Sequence, residues 1–420
     1  MSAEQQAATT PQGSRADDGR WREAFRRVVS GSWAVSLGAI ILAILVGSIM
    51  IAATDDGVRT AIGYFGTRPG DTFAAIGRSV GGAYASLFRG AVWDFNAPSV
   101  ALAIRPLTNS LTQATPLVTA GLGVAIGFRS GQFNIGGRGQ MLMAAVAGGW
   151  IGFGLDLPPV IHMVVAIVAG IVGGAIWGGI AGVLKATTGA HEVIVTIMLN
   201  YVAFYIIGYL LATPGLLQAP GSSNPKTPPM KANAIMPHLF GPQFTLHWGF
   251  VFALVAVAFT WWLLERSRLG FEFRAVGENP AAARVAGIDV RRTTVLSMLV
   301  GGALVGLAGV TQVLGTTTTG FGDGIDAGVG FDAITVALLG RSSPLGVLGA
   351  AILFGAFKAG GATMQAAEGV PIEIVQVVQA AIVLFIAAPP LVRAVFRLPQ
   401  PGPRAPRKAT VTPASAEVAA

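Results

Sequence analysis

Apolar runs with at most one charge each, most of them close to the 20 residues at which a helix crosses the hydrocarbon core of a bilayer, recur along this chain and dominate what it can fold into. They lie at Trp33–Ala53, Leu107–Phe128, Met141–Leu155, Val160–Leu184, Val193–Leu211, Trp248–Leu264, Thr294–Leu314, Phe331–Leu339, Leu345–Gly361 and Ile372–Ala388. Charged residues make up 11% of the sequence, against roughly 25% in an ordinary soluble domain, and they cluster between the runs. A water-soluble core could not hide so much apolar surface, so the chain is predicted to be an all-α polytopic membrane protein with about ten transmembrane helices. The third and eighth runs are short, as expected of helices broken at a central site, where backbone groups face water instead of lipid.

Topology follows from the basic residues. The formal net charge of +8 comes largely from Arg at helix ends and in the tails, which is the pattern of cytoplasmic loops and not of a nucleic-acid surface. With the stretch Trp21–Arg27 in the cytoplasm, ten crossings return Arg393 and Arg397 to the same side, with Arg129, Arg138, Lys185, Arg341 and the stretch Arg266–Arg292 inside. The expected organisation is a membrane domain over 31–392 between disordered cytoplasmic tails at 1–30 and 393–420. The first run lacks a small-residue cleavage site and is expected to be a retained span. Segments 54–106 and 213–247 would lie outside. The first has the amphipathic spacing of a helix lying on the membrane surface, whereas the second is a proline-rich irregular loop. Gly170, Gly174, Gly178 and Gly182 recur every fourth position, as do Gly302 and Gly306, and are expected to bring two helix backbones of this chain together, a subunit interface being the alternative.

Soluble catalytic patterns fail on inspection. His191–Glu192 opens like a zinc-protease motif, but Val195 stands where the second His would be. Gly322, Gly324 and Ala327 match a dinucleotide fingerprint with no βαβ unit around them. The sequence holds no Gly-Lys-Ser or Gly-Lys-Thr, so a phosphate-cradling ATPase loop is missing. With no Cys, disulfides and thiol chemistry are excluded. Asp332 and Glu368 lie near helix ends, and the reading finds no mid-span carboxylate or Lys–acid pair of the kind an ion-coupled carrier needs.

The internal loop at 265–292 is the most informative segment. Asn279 is a good N-cap, Pro280 suits the first helical position, and Gly287 suits the stop, so a short helix is expected from Pro280 to about Ala286. Its exposed face would be Ala281, Ala282 and Ala283 beside Arg284, a small rigid knob. Such a knob could dock in a motor domain, or could be an ordinary interfacial helix.

The segment Gly277-Glu-Asn-Pro-Ala-Ala-Ala-Arg-Val-Ala-Gly287 resembles the coupling loop of permease subunits of bacterial ATP-binding-cassette (ABC) importers, in the group for branched-chain amino acids, simple sugars and nucleosides. The stretches from Phe128 to Met141, Glu192 to Tyr201 and Gly330 to Gly346 support the likeness in order and spacing, and together are similar to the nucleoside branch. Arg138 stands where that branch usually has an acid, and His191 where it usually has Asn. The resemblance implies two inverted halves, helices 2–5 and 7–10, around a pathway that alternates its access across a bacterial plasma membrane. It implies coupling through Gly277, Asn279, Pro280, Ala282, Ala283, Arg284 and Gly287 to a separate ATPase subunit, so that this chain binds no cofactor and ATP is used by the partner. It further implies a second, non-identical permease chain and an external solute-binding lipoprotein.

A pathway for a polar, uncharged solute needs hydrogen-bonding groups at membrane depth. Candidates are Asn109, Gln113, Asn134, Asn200, Gln312 and Gln365, with Gln376 and Gln379 nearby; their amides suit a nucleobase edge or ribose hydroxyls, and helix–helix hydrogen bonding is the alternative role for each. Nucleosides are the expected solute, sugars or branched-chain amino acids the alternatives, and an ion-coupled secondary transporter the rival class.

Overall fold

The computed structural model describes residues 32–397; the tail expected at 1–30, with the stretch Trp21–Arg27, lies outside the described residues, as does the tail expected at 393–420 except for its start, where 393–396 are helical and not disordered. Among the described residues there is no β-strand, and helices follow one another as α1 (Ser32–Thr54), α2 (Asp56–Gly63), α3 (Pro69–Ala91), α4 (Val100–Ala103), α5 (Arg105–Arg129), α6 (Gly137–Gly154), α7 (Ile161–Thr188) and α8 (Glu192–Ala212). After a long irregular segment come α9 (Gly249–Arg266), α10 (Arg268–Glu278), α11 (Pro280–Val285), α12 (Val290–Thr311) with a π-turn at Gln312–Thr316, α13 (Val329–Leu339), α14 (Pro344–Glu368), α15 (Ile372–Ala387) and α16 (Pro389–Phe396).

Each of the ten apolar runs lies on a helix, but among the described residues only seven helices are long and apolar enough to cross a bilayer, or eight if the pair α15–α16, bent by 91°, counts as one span. The shortfall has a physical cause. Helix α6 carries Arg138 and Gln140 in its first turn, and α13 has only 11 residues. These are the two helices expected to be broken.

Helices α5 and α12 form the centre, with 83% and 72% of their apolar windows buried against 22–39% for the other spans. Around them α5 packs on α14 and α13, and α12 packs on α7 and α6. Midway along the α7–α12 contact backbone meets backbone, with the side chains of Val310, Leu299 and Met298 packing on Gly170, Gly179 and Gly182 around it. A Cβ on Gly174 would lie 2.5 Å from the Gly302 carbonyl oxygen and from the Gly306 Cα, and one on Gly178 would lie 2.7 Å from the Met298 carbonyl. The glycine stripe is therefore an intramolecular seam.

The termini of α6 and α13 meet in the interior. A Cβ on Gly137 would lie 2.8 Å from the Gly330 carbonyl oxygen, so neither position tolerates a side chain. Gly139 donates its N–H to Asn200 Oδ1 at 2.8 Å, and Asn200 lies eight residues into α8, about 12 Å along its axis. Arg138, expected in a cytoplasmic loop, stands instead in the first turn of α6, where its Nε lies 3.3 Å from the Asp326 carboxylate of the connection before α13.

Segment 54–106 holds the amphipathic helix α3, yet this helix packs along α14 instead of lying free on a surface. Ser86 Oγ donates to Glu368 Oε1 at 2.9 Å, and Gly90 touches the Thr363 side chain. The segment 213–247 is irregular, as its prolines require, and is pinned at its end by His247.

His247 is 1% exposed. Its Nδ1 accepts the Gly249 N–H at 3.1 Å, and its Nε2 lies 3.3 Å from Thr316 Oγ1, over Gly315 of the π-turn. Burial, with His238 nearby, pushes the imidazole from 6.5 down to about 4. A base whose pKa falls on folding binds its proton more readily when unfolded, so its contribution is intact above pH 6.5 and is lost as the pH falls from there to 4. The loss over that window is about 3 kcal/mol. Melting curves of the purified protein should show this acid sensitivity, and His247→Gln should flatten it; equal pH dependence in both proteins would count against the assignment.

Candidate functional site

Two chambers adjoin α5 and α14, the inner one bounded also by α13 and α15 and the outer one by the end of α3. The inner one, about 600 Å³, is lined by Gln113 of α5, Phe331 and Asp332 of α13, Lys358 of α14, and Gln376 and Gln379 of α15, among others. The outer one, about 380 Å³, includes Arg89, Asp94, Asn109, Gln113, Thr245 and Lys358. Gln113, Lys358 and Ala362 line both, so they form the waist between them.

The charges at these walls come in opposites. Lys358 Nζ lies 2.7 Å from Asp332 Oδ2, and Arg89 and Asp94 share the outer chamber. The Lys358–Asp332 pair corrects the sequence reading, which found no Lys–acid pair at mid-span. Lys358 was visible as a lone cation within the run Leu345–Gly361; the turn at Gly340–Ser343, which folds α14 back on α13, supplies its partner.

Of the amides, Asn109 and Gln113 face the chambers. Asn109 Oδ1 accepts from Thr245 Oγ1 at 2.6 Å, tying the external segment to α5. Asn134 and Asn200 are buried and bonded to backbone. Asn134 Oδ1 accepts the Gly136 N–H at 2.8 Å; Asn200 accepts from Gly139 and donates to the Ile135 carbonyl at 2.9 Å. Gln312 is 8% exposed at the start of the π-turn, and Gln365 is exposed outside both chamber linings. Gln379 is 7% exposed, and its Nε2, which lacks a hydrogen-bond partner, belongs to a chamber wall.

On the loop at 265–292 the structure builds α11 from its local signals. Asn279 Oδ1 accepts the N–H groups of Ala281 and Ala282 at 3.0 and 3.1 Å, and Gly287 takes φ of +83° as Ile288 N–H returns to the Ala283 carbonyl. One detail departs from expectation: Ala283 is the inward residue at 4% exposed, and Val285, not singled out from the sequence, is 90% exposed. Helix packing sets this rotation, which the repeat of three alanines conceals. The preceding α10 was also not foreseen. Gly277 rests against the Arg129 carbonyl, and Arg129 Nε donates to the Ser342 carbonyl at 3.1 Å, so the loop is fastened to the inner ends of α5 and α14.

Buried helices beside chambers whose largely apolar walls carry amides and opposed charges, with a fastened knob on a loop, fit a polytopic membrane permease. Residues 107–387 match the family described as branched-chain amino acid transport system / permease component, and the chain belongs to that family. It is 39% identical over 324 residues, 76% of this chain and 89% of the relative, to the guanosine ABC transporter permease protein NupP of Bacillus subtilis. It is 34% identical to the nucleoside ABC transporter permease protein NupB of Lactococcus lactis, over 67% of this chain and 79% of the relative. Identity is also 34% to the glucose ABC transporter permease protein TsgB13 of Haloferax volcanii, over 67% and 75%. No solved structure matches the chain at a significant level. Membership makes this a multi-pass transport subunit that works with ATPase and substrate-binding partners and is not itself an enzyme.

Proposed function

We propose that this chain forms the transmembrane pathway of an importer for nucleosides, with the two chambers as the passage. The observation that carries the reading is the inner chamber's lining. Phe331 and Phe357 offer apolar ring surface to a base, while Gln113, Gln376 and Gln379 offer carboxamides to its edge or to ribose hydroxyls. The acid–base pairs leave the walls without net charge, which suits a neutral solute. Two of the relatives named above are described as guanosine and nucleoside permeases, which favours nucleosides over the sugar of the third.

In this reading α5–α8 and α12–α15 are inverted halves. Their packing supports it, since α5 on α14 corresponds to α12 on α7, and α5 on α13 to α12 on α6. The first half packs its broken helix tightly, with Asn134 and Asn200 as braces, and the second leaves space around α13. A second, non-identical permease chain closes the rim at the exposed Gln113, Gln376 and Ala380. A lipoprotein delivers solute from outside, both termini lie in the cytoplasm of a bacterial cell, and α11 receives the stroke of the ATPase.

Reconstitution with the ATPase, the second permease and the binding protein tests this. ATP-driven uptake of labelled guanosine should be suppressed by unlabelled nucleosides and not by glucose or leucine, and Gln113→Trp should reduce it by about tenfold or more, a barrier of about 1.4 kcal/mol. Uphill transport by this chain alone, or suppression by glucose or leucine only, would overturn the reading.

A further inference from the structure

We propose that the Lys358–Asp332 ion pair is the gate of the passage, a seal at the waist that a neutral, hydroxyl-rich solute opens by taking over hydrogen bonds from both partners. The inference rests on the reading of the chambers as the pathway.

Position comes first. Lys358 belongs to the linings of both chambers, and its partner Asp332 to the inner one, so a solute passing from the outer to the inner space meets this pair. The ammonium lies 2.7 Å from Asp332 Oδ2 and also donates to the Ala327 carbonyl at 3.3 Å. One side chain thus ties α14 both to α13 and to the connection before it.

Accessibility separates this pair from its neighbour. Lys358 and Asp332 are 24% and 30% exposed, whereas Asp326, the partner of Arg138, is 6% exposed, and the Arg138 guanidinium also lies 4.8 Å from the Phe204 ring centroid. The Arg138 side chain is itself 29% exposed, but its partner carboxylate is desolvated and the Phe204 ring lies beside it, so that pair is held more firmly. Half-wetted charges attract one another weakly enough for a competing ligand to part them. The solute's chemistry then matters. A hydroxyl donates to the carboxylate while a carbonyl or ether oxygen accepts from the ammonium, so neither charge is left without a partner as the pair separates. An anionic solute would satisfy Lys358 alone and leave Asp332 unpaired, which disfavours its passage.

The complete transporter, with its ATPase and second permease, is placed in liposomes preloaded with labelled guanosine, and efflux is followed without ATP. Wild type should be tight. Lys358→Met should leak about tenfold faster or more, and the reversed pair Lys358→Asp with Asp332→Lys should return the leak to within about threefold of wild type. Where Lys358→Met does not give a monodisperse complex, Asp332→Asn takes its place with the same expectation. A tight single variant, or a reversed pair that leaks as fast as the single one, overturns the gate. Gln113→Trp separates the two ideas: if it leaves ATP-driven uptake intact, the pathway reading has failed, and if it blocks uptake while the charge variants stay tight, only the gate has.

Discussion

A transporter carrying Val285→Asp is expected to reach the membrane at the wild-type level and to lose about tenfold or more of its ATP-driven uptake. The effect should be this large because α11 is held from behind and bare in front. Ala283 is buried at 4% exposed, Asn279 caps two N–H groups, and Gly277 lies against the Arg129 carbonyl, so the helix is fixed as a rigid unit. Among the described residues Val285 alone of the large apolar side chains reaches 90% exposed. A groove on the ATPase that covers it would have to take in a carboxylate instead, and burying an uncompensated charge costs several kcal/mol. Driving a two-state switch from one side to the other needs about 5.5 kcal/mol, so a loss of that order removes most of the stroke. Uptake and ATP hydrolysis measured side by side in proteoliposomes provide the check, with Val285→Ala as a control expected to keep most activity. Wild-type transport by Val285→Asp would remove α11 from the coupling path.

Arg138→Met is expected to destabilise the chain by about 3–5 kcal/mol, the cost of leaving one member of a buried ion pair without its partner. The Asp326 carboxylate is 6% exposed and its Nε contact at 3.3 Å is the charge that balances it. Loss of the guanidinium also removes the contact over Phe204 at 4.8 Å. Thermal melting in detergent should show the drop, and adding Asp326→Leu should recover at least half of it, since a pair replaced by apolar groups of similar size is often neutral. If the single and double variants melt together, Arg138 is no counter-ion. The pairing also accounts for an odd residue: a cation where the resembling sequences usually have an acid is matched here by an acid on the facing connection.

Features with local causes were legible in the sequence. Helix α11 follows from Asn279, Pro280 and Gly287, which act within one turn of the chain, and the glycine seam follows from spacing on α7 and α12. What required the third dimension was missed. Asn134 and Asn200 have the same amide chemistry as Asn109 and Gln113, and only the fold decides that the first two meet backbone while the last two meet a chamber. Lys358 announced itself as a charge in an apolar run, but Asp332 became its partner only through the turn between α13 and α14. The rotation of α11 that hides Ala283 and presents Val285 is set by packing on its neighbours, which three consecutive alanines do not encode.

At the seam, Gly174 and Gly178 press bare backbone against Gly302 and Gly306, and no rotamer exists there to be traded for another. Two rods in such contact can neither slide nor roll past each other without a collision of main-chain atoms. They travel as one chassis, and any rocking that exposes the passage first to one side and then to the other must hinge among the looser helices that border the chambers.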